Sequence, residues 1–190
     1  MYTAVIFDFF GVFCPDIAME WFKKAAPSYQ DKLDAFQAIC TRSDYGKLSR
    51  DGFNTEVANL ANVSVQSLID GVEKETVINN SLVEYASGLK ARGFKVACLS
   101  NGTHEWTLRV IQDHGLGGLF EVVVLSGAIG IVKPDPAIYA HALNSLAAEA
   151  SEAIFVDDRQ INVDAGESVG IKSILFTTTQ NFIDDFEKLI

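Results

Sequence analysis

The most informative stretch of this sequence is AVIFDFFGV, residues 4–12. Its first four residues are apolar without alternation, a pattern typical of a strand buried on both faces of a parallel sheet. Asp8 follows this apolar run directly, and Gly11 marks a turn just behind it. Because ligands of open α/β sheets bind beyond the carboxyl ends of the strands, Asp8 is the first candidate for a functional side chain.

Four more apolar runs along the chain have the same character. Segments with apolar residues at helical spacing separate the later runs, and the segment 82–92 ends before Gly93, a residue suited to a helix C-terminus. Repeated strand and helix with right-handed crossovers predict an α/β fold, a doubly wound parallel sheet with a Rossmann-like core. The predicted strands are residues 4–7, 95–99, 121–125, 153–156 and 173–176.

Between residues 16 and 79 the alternation of strand and helix breaks. This region shows no convincing strand, and helical stretches are predicted at residues 17–26, 32–41, 50–60 and 65–75. Ser49 and Ser64 are placed to cap the helices that follow them. We therefore predict a small helical cap, residues 16–79, inserted after the first strand of a core that comprises residues 1–15 and 80–190.

Composition and charge exclude several classes of function. Hydrophobic residues make up 48% of the 190 residues and charged residues 21%, so the chain is not intrinsically disordered. Its 15 basic and 25 acidic side chains give a net charge of −10, which argues against nucleic acid or an anionic membrane as a partner. The three widely spaced cysteines provide neither a disulfide framework nor a Cys-x-x-Cys metal pair. With no signal-peptide pattern and no apolar run that could span a bilayer, a cytoplasmic protein of undetermined oligomeric state is expected.

Polar residues follow four of the five predicted strands, at the end where the strands of a parallel sheet share one edge. Each alone has a simpler interpretation, because Asp, Ser and Asn are common in turns and at helix starts. Their coincidence at four strand ends favours a functional cluster of carboxylates, a hydroxyl, an amide and an ammonium. The cluster comprises Asp8, Ser100, Asn101, Lys133, Asp157 and Asp158.

The chemistry of this cluster suits phosphoryl transfer. Asp8 and Asp157 offer the oxygen ligands that Mg²⁺ prefers, and a backbone carbonyl near Phe10 offers a third. Ser100, with the amides that follow it, can cradle an anion, while Lys133 can neutralise a phosphate oxygen. A carboxylate nucleophile, a metal ion, an anion cradle and a lysine together indicate transfer through an aspartyl-phosphate.

Four motifs, taken in order, resemble those of the haloacid dehalogenase-like hydrolase superfamily. They are FDFFGV at 7–12, LSNG at 99–102, KPDP at 133–136 and FVDD at 155–158. The insert after the first motif is similar to the small helical cap of that superfamily. YGKLS at 45–49 and the spacing of Asp158, Asn162, Gly166 and Gly170 further resemble its branch of sugar-phosphate phosphatases and epoxide-hydrolase N-terminal domains.

The resemblance implies a Mg²⁺-dependent hydrolase that acts on small phosphorylated metabolites. It makes Asp8 both the nucleophile and a metal ligand. The backbone carbonyl of Phe10 and the carboxylate of Asp157 would complete the protein share of the Mg²⁺ ligands. Asp158 would support the metal site from outside the ring of direct ligands.

The same resemblance assigns the remaining residues of the cluster to the phosphate. Ser100 and Asn101 would bind the transferring phosphoryl group. Lys133 would be catalytic, because it would neutralise charge between Asp8 and the phosphate. The helical cap would close over the sheet edge, exclude water and choose the substrate.

Phe10 departs from the pattern of the superfamily, whose phosphatases usually have a second Asp here that protonates the leaving oxygen. Since general acid–base catalysis is worth about 10²–10⁴-fold, three hypotheses stay open. A phosphatase could act on good leaving groups, or Asp16, His104 or a water could replace the acid. A 2-haloacid dehalogenase needs no proton on the departing halide, although such relatives dispense with the Mg²⁺ that Asp157 and Asp158 would justify. The third hypothesis is a catalytically weak binding or regulatory protein of the same fold.

Overall fold

The computed structural model describes residues 1–190, and the five predicted strands form one parallel sheet. The strands are β1 Ala4–Phe7, β2 Lys95–Ser100, β3 Val122–Leu125, β4 Ala153–Asp157 and β5 Lys172–Leu175. Their order across the sheet is β3-β2-β1-β4-β5. The first strand lies in the centre, which explains why all four of its residues are buried. The predicted doubly wound α/β fold is confirmed.

Ten α-helices connect and cover the strands. Those predicted in the region between the first two strands are confirmed, with bounds that shift by at most about three residues. A helix of four residues after β3 was not predicted, because so short a segment shows no helical period. None of the ten combines the length and the apolar composition that crossing a membrane requires. The helices are α1 Ile17–Ala25, α2 Leu33–Asp44, α3 Arg50–Ala61, α4 Val65–Glu75, α5 Asn80–Ala91, α6 His104–Asp113, α7 Ser126–Ile129, α8 Pro136–Leu146, α9 Gln160–Ser168 and α10 Thr179–Glu187.

The register of the sheet brings the predicted site residues to one edge. Phe7, the last residue of β1, pairs with Cys98 on one side and Val156 on the other. The amide of Asp8 continues this ladder by donating a hydrogen bond to the carbonyl of Val156 at 2.8 Å. Asp8 therefore stands beside the end of β4, whose last residue is Asp157.

The four helices α1 to α4 occupy residues 17–75 and are called the helical insert below. Ser49 and Ser64 cap α3 and α4 as predicted. The hydroxyl of each accepts a hydrogen bond from the backbone amide three residues later. Such caps contribute about 1 kcal/mol each to the stability of a helix. The local sequence therefore defines where these two helices begin.

The helical insert shares a hydrophobic core with one face of the sheet. Within it, α4 packs against both α1 and α3, and α3 also packs against α2. The rings of Phe22 in α1 and Phe36 in α2 stack at 4.2 Å between centroids. The apolar cluster that contains these rings also contains Val5 and Phe7 of β1. Ile6, between them, faces a second cluster beneath α8. The division of the chain into a core domain and a cap domain stays a prediction.

Candidate active site

Asp8 lies at the end of the central strand, and only 5% of its surface is exposed. Its Oδ1 accepts a hydrogen bond from the amide of Phe9 at 2.7 Å and lies 3.0 Å from Nζ of Lys133. Burial raises the pKa of Asp8 to about 7, although the neighbouring ammonium of Lys133 acts to lower it. A desolvated carboxyl group beside a fixed cation is suited to act as a nucleophile.

Lys133 is 3% exposed and joins the ends of three strands. Its Nζ lies 2.6 Å from Oδ2 of Asp157 and 3.0 Å from Oδ1 of Asp8, and it donates to the carbonyl of Leu99 at 2.9 Å. Burial by itself would lower the pKa of Lys133, but the two carboxylates outweigh burial and raise it. Lys133 therefore stays charged, and its three N–H donors are all engaged.

The loop after β2 holds Lys133 in place. The side-chain amide of Asn101 donates to the carbonyl of Lys133 at 3.0 Å, and its oxygen accepts from the amide of Lys133 at 2.9 Å. This side chain, expected to bind phosphate, is thus engaged with the Lys133 backbone, a contact that the sequence did not indicate. Ser100 is fully buried, its hydroxyl donates to the carbonyl of Asn101 at 3.4 Å, and its proximity acts to lower the pKa of Asp8.

Asp157, at the end of β4, is completely buried. Its Oδ1 accepts hydrogen bonds from the backbone amide of Arg159 at 2.9 Å and from the side-chain amide of Asn162 at 3.0 Å. Its Oδ2 carries the ion pair with Lys133. These contacts fix the orientation of the Asp157 carboxylate, and a buried charge needs such partners.

Three carboxylates at this edge form a cluster of potential metal ligands. One oxygen each from Asp8, Asp157 and Asp158 lies within 4.8 Å of the other two. The single ammonium beside them leaves an excess of negative charge that a divalent cation would neutralise. The carbonyl oxygen of Phe10 accepts no hydrogen bond, and Oδ1 of Asn162 is buried without a partner. This set of hard oxygen donors fits Mg²⁺, which takes oxygen ligands and keeps several waters.

Gly11 allows the first loop to approach Asp158. Its φ is +89°, and a Cβ at this position would overlap the carboxylate of Asp158. The amide of Gly11 donates to the carbonyl of Cys14 at 2.6 Å, which closes the turn behind Asp8. Both the left-handed backbone and the close approach therefore require glycine.

A cavity of about 210 Å³ opens between the carboxylate cluster and the helical insert. Asp8 and Lys133 line it from the sheet side, together with the rings of Phe10 and Trp106. A cavity of this size and character suits a small molecule with one strongly polar end. The apolar residues of the insert that line it are Ile17, Ala18, Cys40, Phe53, Leu68, Ile69 and Val72.

Three charged side chains of the cavity were not connected with the site by the sequence. Asp44 is the last residue of α2, Arg50 is the first residue of α3, and Arg159 follows the carboxylate cluster. The guanidinium of Arg50 lies over the ring of Trp106 at 5.3 Å from its centroid. Neither Asp44 nor Arg50 stands at a strand end, so no local signal pointed to them.

The structure distinguishes between Asp16 and His104, the two side chains considered as replacements for the missing acid. Asp16 lines the cavity, but it accepts a hydrogen bond from the amide of Met19 and caps α1. His104 begins α6 and does not line the cavity. Burial and, to a smaller extent, the charge of Asp16 raise the pKa of Asp44 to about 7, although Arg159 and Lys133 act to lower it.

Comparison with known proteins agrees with this geometry. The family model described as haloacid dehalogenase-like hydrolase matches residues 2–170. The chain belongs to that family. The resemblance stated from the four motifs is thereby confirmed, and so is the prediction of an enzyme of the hydrolase class.

Individual relatives cover parts of this chain or share its fold. The bifunctional epoxide hydrolase 2 of Sus scrofa is 28% identical over 137 residues, 67% of this chain and 24% of that protein. A phosphoglycolate phosphatase of Aquifex aeolicus is 32% identical over 87 residues, 46% of this chain and 41% of that protein. The chain thus covers less than half the length of either. The HAD family enzyme BT-2542 of Bacteroides thetaiotaomicron has the same fold, and its structure was solved with magnesium and inorganic phosphate. The TM-score is 0.80 at 20% identity, and the match covers 98% of this chain and 100% of that chain.

Proposed function

We propose that this protein is a Mg²⁺-dependent phosphatase of small phosphorylated metabolites that acts through an aspartyl-phosphate at Asp8. The observation that carries the proposal is the ammonium of Lys133, which lies 3.0 Å from Asp8 and 2.6 Å from Asp157 at the cavity. This ion pair sets a fixed positive charge beside the attacking carboxylate, where a phosphoryl group would arrive. A phosphatase among the relatives, and a protein of the same fold that holds magnesium and inorganic phosphate, support this reaction.

In the proposed mechanism, a carboxylate oxygen of Asp8 attacks the phosphorus, and the bond from phosphorus to the leaving oxygen breaks. Lys133 neutralises the negative charge that gathers between Asp8 and the phosphoryl group. Ser100 and the backbone that follows it, including Asn101, bind the phosphoryl oxygens. A water then attacks the phosphorus, inorganic phosphate departs, and the Asp8 carboxylate is restored.

The metal would be held by the carboxylates of Asp8 and Asp157 and by the carbonyl of Phe10. Asp158 would support them, and its oxygen lies close enough to the other two carboxylates to share the ion. When bound, Mg²⁺ supplies positive charge that offsets the repulsion between an anionic nucleophile and an anionic phosphate. Lys133 supplies one such charge permanently, so the metal and the lysine divide this task.

The helical insert would act as the cap of this active site. It contributes the apolar side of the cavity and would exclude water from the acyl-phosphate. Arg50 forms no ion pair with a carboxylate in the protein, so its guanidinium is available for an anionic or hydroxylated part of the substrate. The small cavity restricts the substrate to a metabolite rather than a macromolecule.

Purified protein is expected to release phosphate from small phosphate esters in the presence of Mg²⁺ and to lose this activity in EDTA. The panel would include sugar, acyl and aryl phosphates, with inorganic phosphate measured directly. Activity that returns when Mg²⁺ replaces EDTA provides the control for damage by the chelator. Phosphate release that EDTA leaves unchanged would contradict the proposed metal dependence.

The apolar side chain of Phe10 favours a second candidate, a 2-haloacid dehalogenase. Phe10 lines the cavity where a proton donor would otherwise stand, and a departing halide needs no proton. Such an enzyme would have no need of the carboxylate cluster. Chloride release from 2-chloropropionate that persists in EDTA, without phosphatase activity, would establish this candidate. Ligand binding with neither activity would instead indicate a binding or regulatory protein.

Gly11→Ala is expected to weaken Mg²⁺ binding about 10–100-fold, because the new methyl group displaces the carboxylate of Asp158. Calorimetric titration with Mg²⁺ measures the change. Gly93→Ala is the matched control, since Gly93 has a φ of +93° but nothing within 4 Å of its Cβ position. Both variants carry similar backbone strain, so equal Mg²⁺ affinity in the two would rule out the role of Asp158.

A further inference from the structure

The end of α2 is docked against the sheet edge through glycines. A Cβ on Gly46 would overlap the carbonyl oxygen of Gly127, which belongs to α7. A Cβ on Gly127 would in turn lie 2.7 Å from the carbonyl oxygen of Gly102 and 3.3 Å from that of Ser43. Only a glycine fits between these chains. Gly127 therefore lies between the last turn of α2, which ends at Asp44, and the loop that follows β2.

The Asp44 side chain opens into the cavity without a partner of its own. It accepts no hydrogen bond and forms no ion pair, whereas the other acidic side chain of the insert side, Asp16, is engaged as the cap of α1. Asp44 is also the last residue of a helix, where the carbonyl end of the helix dipole disfavours a negative charge. Burial, aided by the charge of Asp16, raises the pKa of Asp44 to about 7. A carboxyl group in this position stays protonated as the pH rises toward 7.

The other carboxyl groups at the cavity have tasks of their own, since Asp16 caps α1 and Asp158 belongs to the carboxylate cluster. An aliphatic alcohol leaves phosphorus as an alkoxide unless its oxygen is protonated as the bond breaks. Lys133 cannot supply this proton readily, because its three donors are engaged with Asp8, Asp157 and the carbonyl of Leu99. Phe10, in the loop after β1, has no proton to give.

We propose that Asp44 is the general acid of this active site, a role that rests on the proposed phosphatase function. As Asp8 forms its bond to phosphorus, the bond from phosphorus to the leaving oxygen breaks and the Asp44 carboxyl gives its proton to that oxygen. The products of this step are a free alcohol, the aspartyl-phosphate and the Asp44 carboxylate. In the second step the attacking water gives a proton to Asp44, and inorganic phosphate leaves. The helical insert thus supplies the acid that the loop of the first motif lacks.

Asp44→Asn is expected to lower kcat/KM for phosphate esters of aliphatic alcohols by about 10²-fold or more. For p-nitrophenyl phosphate, whose leaving group departs without a proton, kcat/KM should change by only a few fold. This contrast distinguishes a proton donor from a residue that merely shapes the cavity, because a structural role would affect both substrates alike. Asp34→Asn, on the exposed side of the same helix, is the control expected to leave both values unchanged.

A second variant keeps the test decisive. Phe10→Asp in the Asp44→Asn background should restore turnover of aliphatic phosphates, because it returns an acid to the same cavity from the core side. Equal losses with both substrate classes in Asp44→Asn, or the leaving-group contrast in Asp16→Asn instead, would overturn the assignment. Asp8→Asn reports separately on the proposed function: if it is inactive while Asp44→Asn shows no contrast, the nucleophile stands and the assignment of Asp44 fails.

Discussion

Asp8→Asn is expected to reduce Mg²⁺-dependent phosphate release by roughly 10⁴-fold or more, because an amide can neither attack phosphorus nor form the acyl-phosphate. The variant should also yield no phosphorylated protein when the reaction is quenched with acid. Both measurements use saturating Mg²⁺, so that a weaker metal site does not limit the comparison. Phosphate release that survives in Asp8→Asn would exclude the aspartyl-phosphate mechanism.

The same variant should fold at least as well as the wild type when metal is absent. Burial raises the pKa of Asp8 to about 7, above its value in the unfolded chain. A raised folded-state pKa means that the metal-free wild type loses stability as the pH rises from about 4 to about 7. The neutral amide escapes this loss. Thermal unfolding in EDTA across this range therefore shows that inactivity in Asp8→Asn comes from lost chemistry and not from unfolding.

Lys133→Met is expected to lower the free energy of unfolding by about 3–5 kcal/mol in EDTA, since it removes the only cation between two buried carboxylates. Phosphatase activity should fall by roughly 10²–10³-fold, because the charge beside the phosphoryl group is lost. Mg²⁺ should restore part of the stability by replacing the missing positive charge. Denaturant unfolding with and without Mg²⁺ measures both effects.

Lys172→Met is the matched control for this substitution. Lys172 also pairs with a carboxylate, that of Glu167 at 3.2 Å, but both side chains are largely exposed. Exposed ion pairs contribute about 0–1 kcal/mol, so this variant should lose little stability and no activity. If the two lysine variants lost the same free energy of unfolding, the buried pairing of Lys133 with Asp8 and Asp157 would not have the importance assigned to it.

Much of the fold was predictable because its signals are local. Unbroken apolar runs indicated all five strands, and Ser49 and Ser64 marked helix starts through bonds that span only three residues. Helix α7 escaped prediction because four residues contain barely one turn. The order of the strands was not predictable from local signals, since pairing joins segments that are far apart in the chain.

In the candidate site, too, local signals predicted some features, and others depend on contacts between distant segments. Asp8, Ser100 and Asp157 stand at or just beyond strand ends, and the carboxyl ends of parallel strands must share an edge, so their proximity followed from the sequence. Lys133 lies farther along, in the loop between α7 and α8 that follows β3. The engagement of the Asn101 side chain with the Lys133 backbone did not follow, because it depends on how two loops settle against each other.

The sequence by itself determined the family, the position of Asp8 directly after the first strand and the absence of an acid at Phe10, because each of these resides in a short run of residues. Only the tertiary structure placed Asp44 at the cavity. Its position results from the close packing of Gly46 on Gly127, which brings the end of α2 to the loop after β2. That contact joins distant parts of the chain, and the burial that favours a proton on Asp44 exists only once the helical insert has packed against the sheet.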